Sequence, residues 1–106
     1  MNNCLFCKII EKIITSKLVY EDDEILAFHD INPKADTHIL IIPKQHIVSM
    51  LEIDESHQKL IGNLMVKTNQ IAKELGLNGG YKIQINTGVN GGQEVMHLHL
   101  HLLANK

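Results

Sequence analysis

Near the end of the chain, histidines and leucines alternate as His97-Leu98-His99-Leu100-His101-Leu102-Leu103. A period of two sends successive side chains to opposite faces of a β-strand. The pattern therefore predicts a strand over 97–103 with three imidazoles on one face and leucines on the other. Upstream, Leu5, Phe6, Ile9, Ile10, Ile13 and Ile14 fall in doublets one helical turn apart, which predicts a short amphipathic helix over 4–14. Leu18 to Tyr20 reads as a short strand, Glu21-Asp22-Asp23 as a turn, and Glu24 to His29 as a second strand in which Ile25, Ala27 and His29 alternate. After a loop punctuated by Pro33, the almost unbroken aliphatic run His38 to Ile42 predicts a central strand buried on both faces, closed by Pro43. Asp54 suits a helix N-cap. From there Leu60, Ile61, Leu64, Met65, Thr68, Ile71, Ala72 and Leu75 keep a period near 3.6 up to Gly76, a natural C-cap. Tyr81 to Thr87 alternates again, and a glycine-rich loop, Gly88 to Gly92, leads into the histidines. The order βββ–α–ββ behind a short helix predicts an α+β fold with a mostly antiparallel sheet.

Bulk properties narrow the partners. The 106 residues fit one domain over 1–106. Hydrophobic residues at 44% and charged ones at 21% are those of a globular protein. A formal charge of -2 with no basic, aromatic-rich stretch argues against a nucleic-acid partner. No apolar run approaches the roughly 20 residues of a membrane span. Met1-Asn2-Asn3-Cys4 has none of the features of a signal peptide, so the expected location is the cytoplasm, with Cys4 and Cys7 as reduced thiols.

Three imidazoles on one face change the picture most. Each has an ordinary pKa near 6.5 and so sits at the edge of protonation at neutral pH. A metal site, or acid–base and nucleophilic work on an electrophile, uses such a group. The glycines before it let backbone amides come close to an anion, although a plain hairpin would look the same, and no Gly-Lys-Ser/Thr follows to make a Walker A loop. Cys4-Leu5-Phe6-Cys7 has metal-ligand spacing but is half a site; two reduced cysteines packed as small apolar residues fit it equally. His57 falls in the first turn of the long helix, where a solvated side chain is expected, and His29 reads as packing on the sheet.

The alternation His-apolar-His-apolar-His followed by two apolar residues is the signature of the histidine triad superfamily. Gly91-Gly92-Gln93, Phe28-His29-Asp30-Ile31-Asn32-Pro33 and His38-Ile39-Leu40-Ile41-Ile42-Pro43-Lys44-Gln45-His46 resemble its Hint branch, the histidine triad nucleotide-binding proteins. The resemblance runs from Cys4 to Leu103. It implies a five-stranded antiparallel sheet with one long and one short helix, and a homodimer in which two sheets join into one of ten strands. It further implies binding of a purine nucleoside monophosphate and hydrolysis of nucleoside phosphoramidates such as adenosine 5′-monophosphoramidate. Position by position, His99 is similar to the nucleophile and His101 to the α-phosphate contact, while His97 and His38 resemble the outer histidines of the active site. Asp30 and Ile31 resemble ribose and base contacts; Asn86, Gln93 and the backbone around Gly92 and Glu94 resemble phosphate contacts. No cofactor is needed for that chemistry. In some relatives a structural zinc is held by positions matching Cys4, Cys7, His46 and His97.

The chemistry demanded of these residues is specific. A neutral ring nitrogen attacks phosphorus to form a nucleotidyl-histidine, so the other ring nitrogen must keep its proton and donate it, with a backbone carbonyl the expected acceptor. Charge developing on the phosphoryl oxygens needs fixed donors, and the departing amine needs a proton. Glu94 stands where some relatives carry a serine or threonine; either its backbone amide does the binding, or its carboxyl protonates the amine, or it is a solvated surface carboxylate. The chain departs from the resemblance in ending at Ala104-Asn105-Lys106, without the tail that helps set substrate preference, and in lacking a glycine and proline around Ile13 to Lys17. A second reading is a nucleotide-binding adaptor whose hydrolase activity is incidental. A third gives the triad a role in metal binding alone. Dinucleotide polyphosphate hydrolysis fits the upstream segments less well.

Overall fold

The architecture comes from a computed structural model that describes residues 3–105. Two helices and five strands follow one another as α1 (Leu5–Ile10), β1 (Leu18–Glu21), β2 (Ile25–His29), β3 (Thr37–Pro43), α2 (Gln58–Glu74), β4 (Lys82–Gln84) and β5 (Leu100–Ala104), with short 3-10 turns between. The strands form one sheet in the order β1-β2-β3-β5-β4. Every neighbouring pair is antiparallel. The α+β fold with one long and one short helix is thus as the sequence implied.

β3 is the central strand, and Ile39, Ile41 and Ile42 have no exposed surface. Its two faces carry separate cores. On one, Ile25, Ala27, Ile39, Ile41, Leu100 and Leu102 pack against Leu64, Ile71 and Ala72 of α2. On the other, Leu26, Phe28, Leu40 and Ile42 pack against Phe6 and Ile9 of α1. Leu40 lies opposite His101, and Ile41 opposite Leu100. A slip of one residue would drive His101 into the α2 core and expose leucines worth about 1.5–3 kcal/mol each when buried. The leucines therefore hold the histidines on the α1 face.

Four boundaries differ from the sequence reading. β5 begins at Leu100, so His97 and His99 precede the paired ladder. The neighbouring β3 ends at Pro43, which has no N–H to continue the pairing. Leu98 N–H turns to the Ile47 carbonyl instead, at 2.7 Å. The alternation survives, because Leu98 is buried while the rings of His97 and His99 lie edge-on to Phe6. α1 stops at Ile10 rather than Ile14: Lys12 takes a left-handed φ of 65°, and Ile13 is 67% exposed. Asp54 caps a 3-10 turn, Glu55–His57, that precedes α2, and His57 Nδ1 accepts the Asp54 N–H in return, so this imidazole completes a capping box rather than standing free in solvent. β4 is shorter than Tyr81–Thr87, its pairing ending at Gln84 opposite His101. No helix among the described residues is long and apolar enough to cross a membrane.

Candidate active site and metal centre

Four ligand atoms converge where α1 begins. Cys4 is the N-cap of α1 and Cys7 lies one turn on, so the helix presents both sulfurs to one side, with Cys7 N–H donating to Cys4 Sγ. Opposite them stand His46, beyond the end of β3, and His97. The Cys4 Sγ to His97 Nδ1 distance is 3.3 Å, Cys7 Sγ to His46 Nδ1 3.3 Å, Cys7 Sγ to His97 Nδ1 3.5 Å, and His46 Nδ1 to His97 Nδ1 3.2 Å. All four atoms lie within 4.8 Å of one another. A tetrahedral Zn²⁺ with bonds of about 2.3 Å to sulfur and about 2.0 Å to nitrogen sets edges of roughly 3.3 Å between nitrogens and roughly 3.6 Å between nitrogen and sulfur. The observed edges fit that figure. His97 Nε2–H donates to the Pro43 carbonyl at 2.8 Å, which leaves Nδ1 as a lone pair aimed at the cluster.

A second set of imidazoles, His99 two residues beyond His97 with His101 and His38, has a different arrangement. His99 Nδ1 donates to the His97 carbonyl at 2.7 Å. This is the backbone acceptor that covalent catalysis by an imidazole requires, and it makes Nε2 the unprotonated nitrogen. Among the described residues no buried side-chain nitrogen or oxygen lacks a partner. His99 Nε2 has none, so this nitrogen opens to solvent even though the residue is 6% exposed. Phe6 walls the ring edge-on at 5.1 Å, and the His101 ring lies 4.9 Å away. His101 Nδ1 is 2.8 Å from His38 Nε2, and His38 Nε2 is also 3.4 Å from Asp30 Oδ2.

Burial sets the protonation state. It pushes His99 below the ordinary imidazole range, against the opposing pull of the His97 carbonyl, Asp30 and Glu94. It pushes His101 down to about 4, helped by His99 and His38, and lowers His38 as well, against the attraction of Asp30. His97 is likewise held at about 4 by burial. All four rings are neutral at pH 7, the state in which a ring nitrogen is a nucleophile or a metal ligand.

The glycine-rich segment precedes the histidines in the chain. Gly88 and Gly92 take φ of 68° and 80°, a conformation that side chains with a Cβ rarely adopt. A Cβ at Gly88 would also meet Leu51 at 3.3 Å. Gln93 is buried and its carboxamide is fully used: Oε1 accepts the Gly88 N–H, and Nε2 donates to the carbonyls of Val48 and Val95. Its side chain therefore braces the loop and is not free to contact a phosphate. Asn86 donates to the Gly91 carbonyl and accepts from Gln84, so it too shapes the loop. Asp30 is half-buried beside His38 and turns its other oxygen to the Asn32 N–H. Ile31 is 90% exposed. Glu94 is exposed at the end of the loop, and His29 is exposed at the end of β2.

The structure thus brings His38, His99, His101 and Asp30 together, and separately Cys4, Cys7, His46 and His97. Two groups escaped the sequence reading. Phe6, between the cysteines, forms the wall of both imidazole sets. The Lys34 N–H, which donates to His38 Nδ1 at 3.0 Å, is a backbone group and leaves no trace in residue type.

The family described as "Scavenger mRNA decapping enzyme C-term binding" matches residues 3–106. Protein HitA of Neisseria gonorrhoeae is 52% identical over 103 residues, spanning 97% of this chain and 96% of that one. The 14 kDa zinc-binding protein of Zea mays is 46% identical over 104 residues, spanning 96% and 81%. Among solved structures, a HIT family hydrolase from Legionella pneumophila superposes with a TM-score of 0.94 at 46% identity, covering 96% of this chain and 92% of that one. A histidine triad protein from Clostridium difficile gives 0.95 at 46% identity, covering 100% and 93%. The chain belongs to the histidine triad (HIT) family.

Proposed function

We propose that the protein is a hydrolase that cleaves the P–N bond of purine nucleoside 5′-phosphoramidates through a nucleotidyl-His99 intermediate. The observation that carries this reading is the pairing of a lone pair and a proton at one mouth. His99 has its proton committed to the His97 carbonyl and its Nε2 open, while His101 stands beside it, neutral, with its own Nε2 available. In the first step His99 Nε2 forms a bond to phosphorus, and the electron pair of the P–N bond leaves with the amine, which takes up a proton. His101 Nε2–H and backbone amides of the loop before it suit the phosphoryl oxygens as charge builds on them. Glu94 is the candidate proton source for the amine. Water then attacks phosphorus, freeing His99 and a nucleoside monophosphate. The Legionella pneumophila relative is a HIT family hydrolase, and a structural relative from Candida albicans is a histidine triad nucleotide-binding protein, which supports nucleotide chemistry here.

This reading is tested by offering three substrates: an adenosine 5′-phosphoramidate of an alkylamine, a diadenosine polyphosphate and a methylated cap dinucleotide. Phosphorus NMR is expected to follow AMP and free amine appearing from the first far faster than any product from the others. Cleavage of the pyrophosphate bonds alone would reject the proposal.

The same proposal includes a structural zinc on Cys4, Cys7, His46 and His97, which would tie α1 to the histidine segment and take no part in turnover; a reducing cytoplasm suits the two thiols. It also includes a homodimer. The Tyr81 hydroxyl donates to Asn69 Oδ1 at 2.7 Å, which sets that side of α2 beside the β4 edge. One turn earlier on that side lies Met65, 43% exposed, with Val66 at 57% next to it. β4 pairs with β5 alone among the described strands, leaving its outer edge available to a second copy. Sedimentation at micromolar concentration is expected to give a dimer, and Met65→Glu with Val66→Glu a monomer. A monomeric wild type would remove the dimer from the account.

A further inference from the structure

The direction of proton donation at the site is set by a chain of ring nitrogens that ends in the backbone. Lys34 follows Pro33 in the β2–β3 loop, and its N–H points at His38 Nδ1 from 3.0 Å. A backbone N–H only donates, so that nitrogen carries the lone pair. The proton of neutral His38 must then sit on Nε2. Two acceptors face Nε2, the His101 Nδ1 at 2.8 Å and the Asp30 carboxylate at 3.4 Å, as expected for a protonated nitrogen. A donor at His38 Nε2 makes His101 Nδ1 the acceptor, and the proton of neutral His101 falls on its Nε2. The 2.8 Å separation is also shorter than the roughly 3.3 Å between two nitrogens on one tetrahedral ion, so Asp30, His38 and His101 form a hydrogen-bonded relay rather than a second metal site.

We infer that the backbone N–H of Lys34 is a positioning group: acting through His38, it fixes the proton of His101 on Nε2, so that His101 meets the phosphoryl oxygen as a donor. The consequence for catalysis rests on the reading of His101 as the phosphoryl contact, whereas the proton positions themselves do not. The two rings beside each other are thereby held in opposite tautomers by two backbone groups, His99 by the His97 carbonyl and His101, at one remove, by the Lys34 amide. An uncontrolled imidazole populates both tautomers. The wrong one at His101 would turn a lone pair toward the phosphoryl oxygens and repel them. Burial keeps His38 and His101 neutral near pH 7, so the choice of tautomer is the choice that matters.

The test uses the ¹⁵N-labelled wild-type protein, free of nucleotide, at pH 7.5. Long-range proton–nitrogen spectra of the imidazoles are expected to show His38 and His101 protonated on Nε2 and His99 on Nδ1. A nitrogen–nitrogen coupling across the hydrogen bond is expected between the Lys34 amide and His38 Nδ1. A His101 proton on Nδ1, or no such coupling, would overturn the inference whatever the enzyme's substrate proves to be. K34P deletes the donor, and K34A keeps it. K34P is expected to show mixed tautomers at His38 and a kcat lower by about five- to tenfold, the effect of one neutral hydrogen bond, with KM little changed. K34A is expected to keep the wild-type tautomers. K34P that folds with wild-type tautomers and wild-type kcat would overturn the inference equally. The wild-type spectra decide the matter should K34P fail to fold.

Discussion

His99→Ala is expected to lower turnover of a nucleoside phosphoramidate by on the order of a thousandfold or more while leaving nucleotide bound. The size follows from the kind of group removed. Positioning and charge stabilisation survive in such a variant, because the loop amides, His101 and the β2–β3 loop are untouched. What disappears is the only open lone pair among the four neutral rings: His97 Nδ1 faces the cysteines, His38 Nδ1 accepts from Lys34, and His101 Nδ1 faces His38. No neighbour can replace it. Calorimetric titration with AMP beside a turnover assay separates the two effects. Undiminished turnover in a folded His99→Ala protein would move the nucleophile elsewhere. Biological activity that persists without turnover would favour the adaptor reading.

Metal removal is expected to produce the largest change in stability. The four ligands come from the N-cap and first turn of α1, the chain beyond β3 and the segment before β5. One ion would therefore link pieces separated by 39 to 93 residues. Cross-links that close long loops remove much freedom from the unfolded chain, and metal binding to a site that exists only in the folded state adds directly to folding free energy. Without the ion, two nitrogens and two sulfurs face one another at 3.2–3.5 Å with too few protons among them to make every contact attractive. For a domain of this size about 1 kcal/mol moves the melting temperature by roughly 4–8 °C. Chelation, or Cys7→Ser, is therefore expected to lower the melting temperature by about 10 °C or more, with one zinc per chain lost. Scanning calorimetry beside elemental analysis checks this. Protein isolated without metal, melting at the same temperature with and without added Zn²⁺, would leave the cysteines as small packing residues.

Much of this arrangement was legible in the residues, and the exceptions have physical causes. The alternation over 97–103 gave the right face for each ring because the leucines had to enter the α2 core. It could not give the start of β5, since pairing depends on a partner, and the partner strand ends at Pro43. The apolar doublet at Ile13 and Ile14 looked helical, yet a left-handed Lys12 ends the helix, and nothing in a lysine announces that conformation. Gln93 reads as a phosphate contact through the family resemblance. Its burial, and the three hydrogen bonds that occupy it, belong to tertiary structure. By spacing alone the cysteine pair was half a site; the family resemblance supplied His46 and His97, and the fold brings the four ligand atoms within 4.8 Å of one another.

The central claim, that His99 Nε2 bonds to phosphorus, is tested most directly by intact mass. His101→Gly removes the phosphoryl donor but not the nucleophile, so it should slow release of the nucleotidyl enzyme. Mixed with an adenosine 5′-phosphoramidate, this variant is expected to gain the mass of one adenylyl group per chain, mapped by fragmentation to His99. Bound nucleotide with no gain in mass, or an adduct on any other residue, would contradict the account.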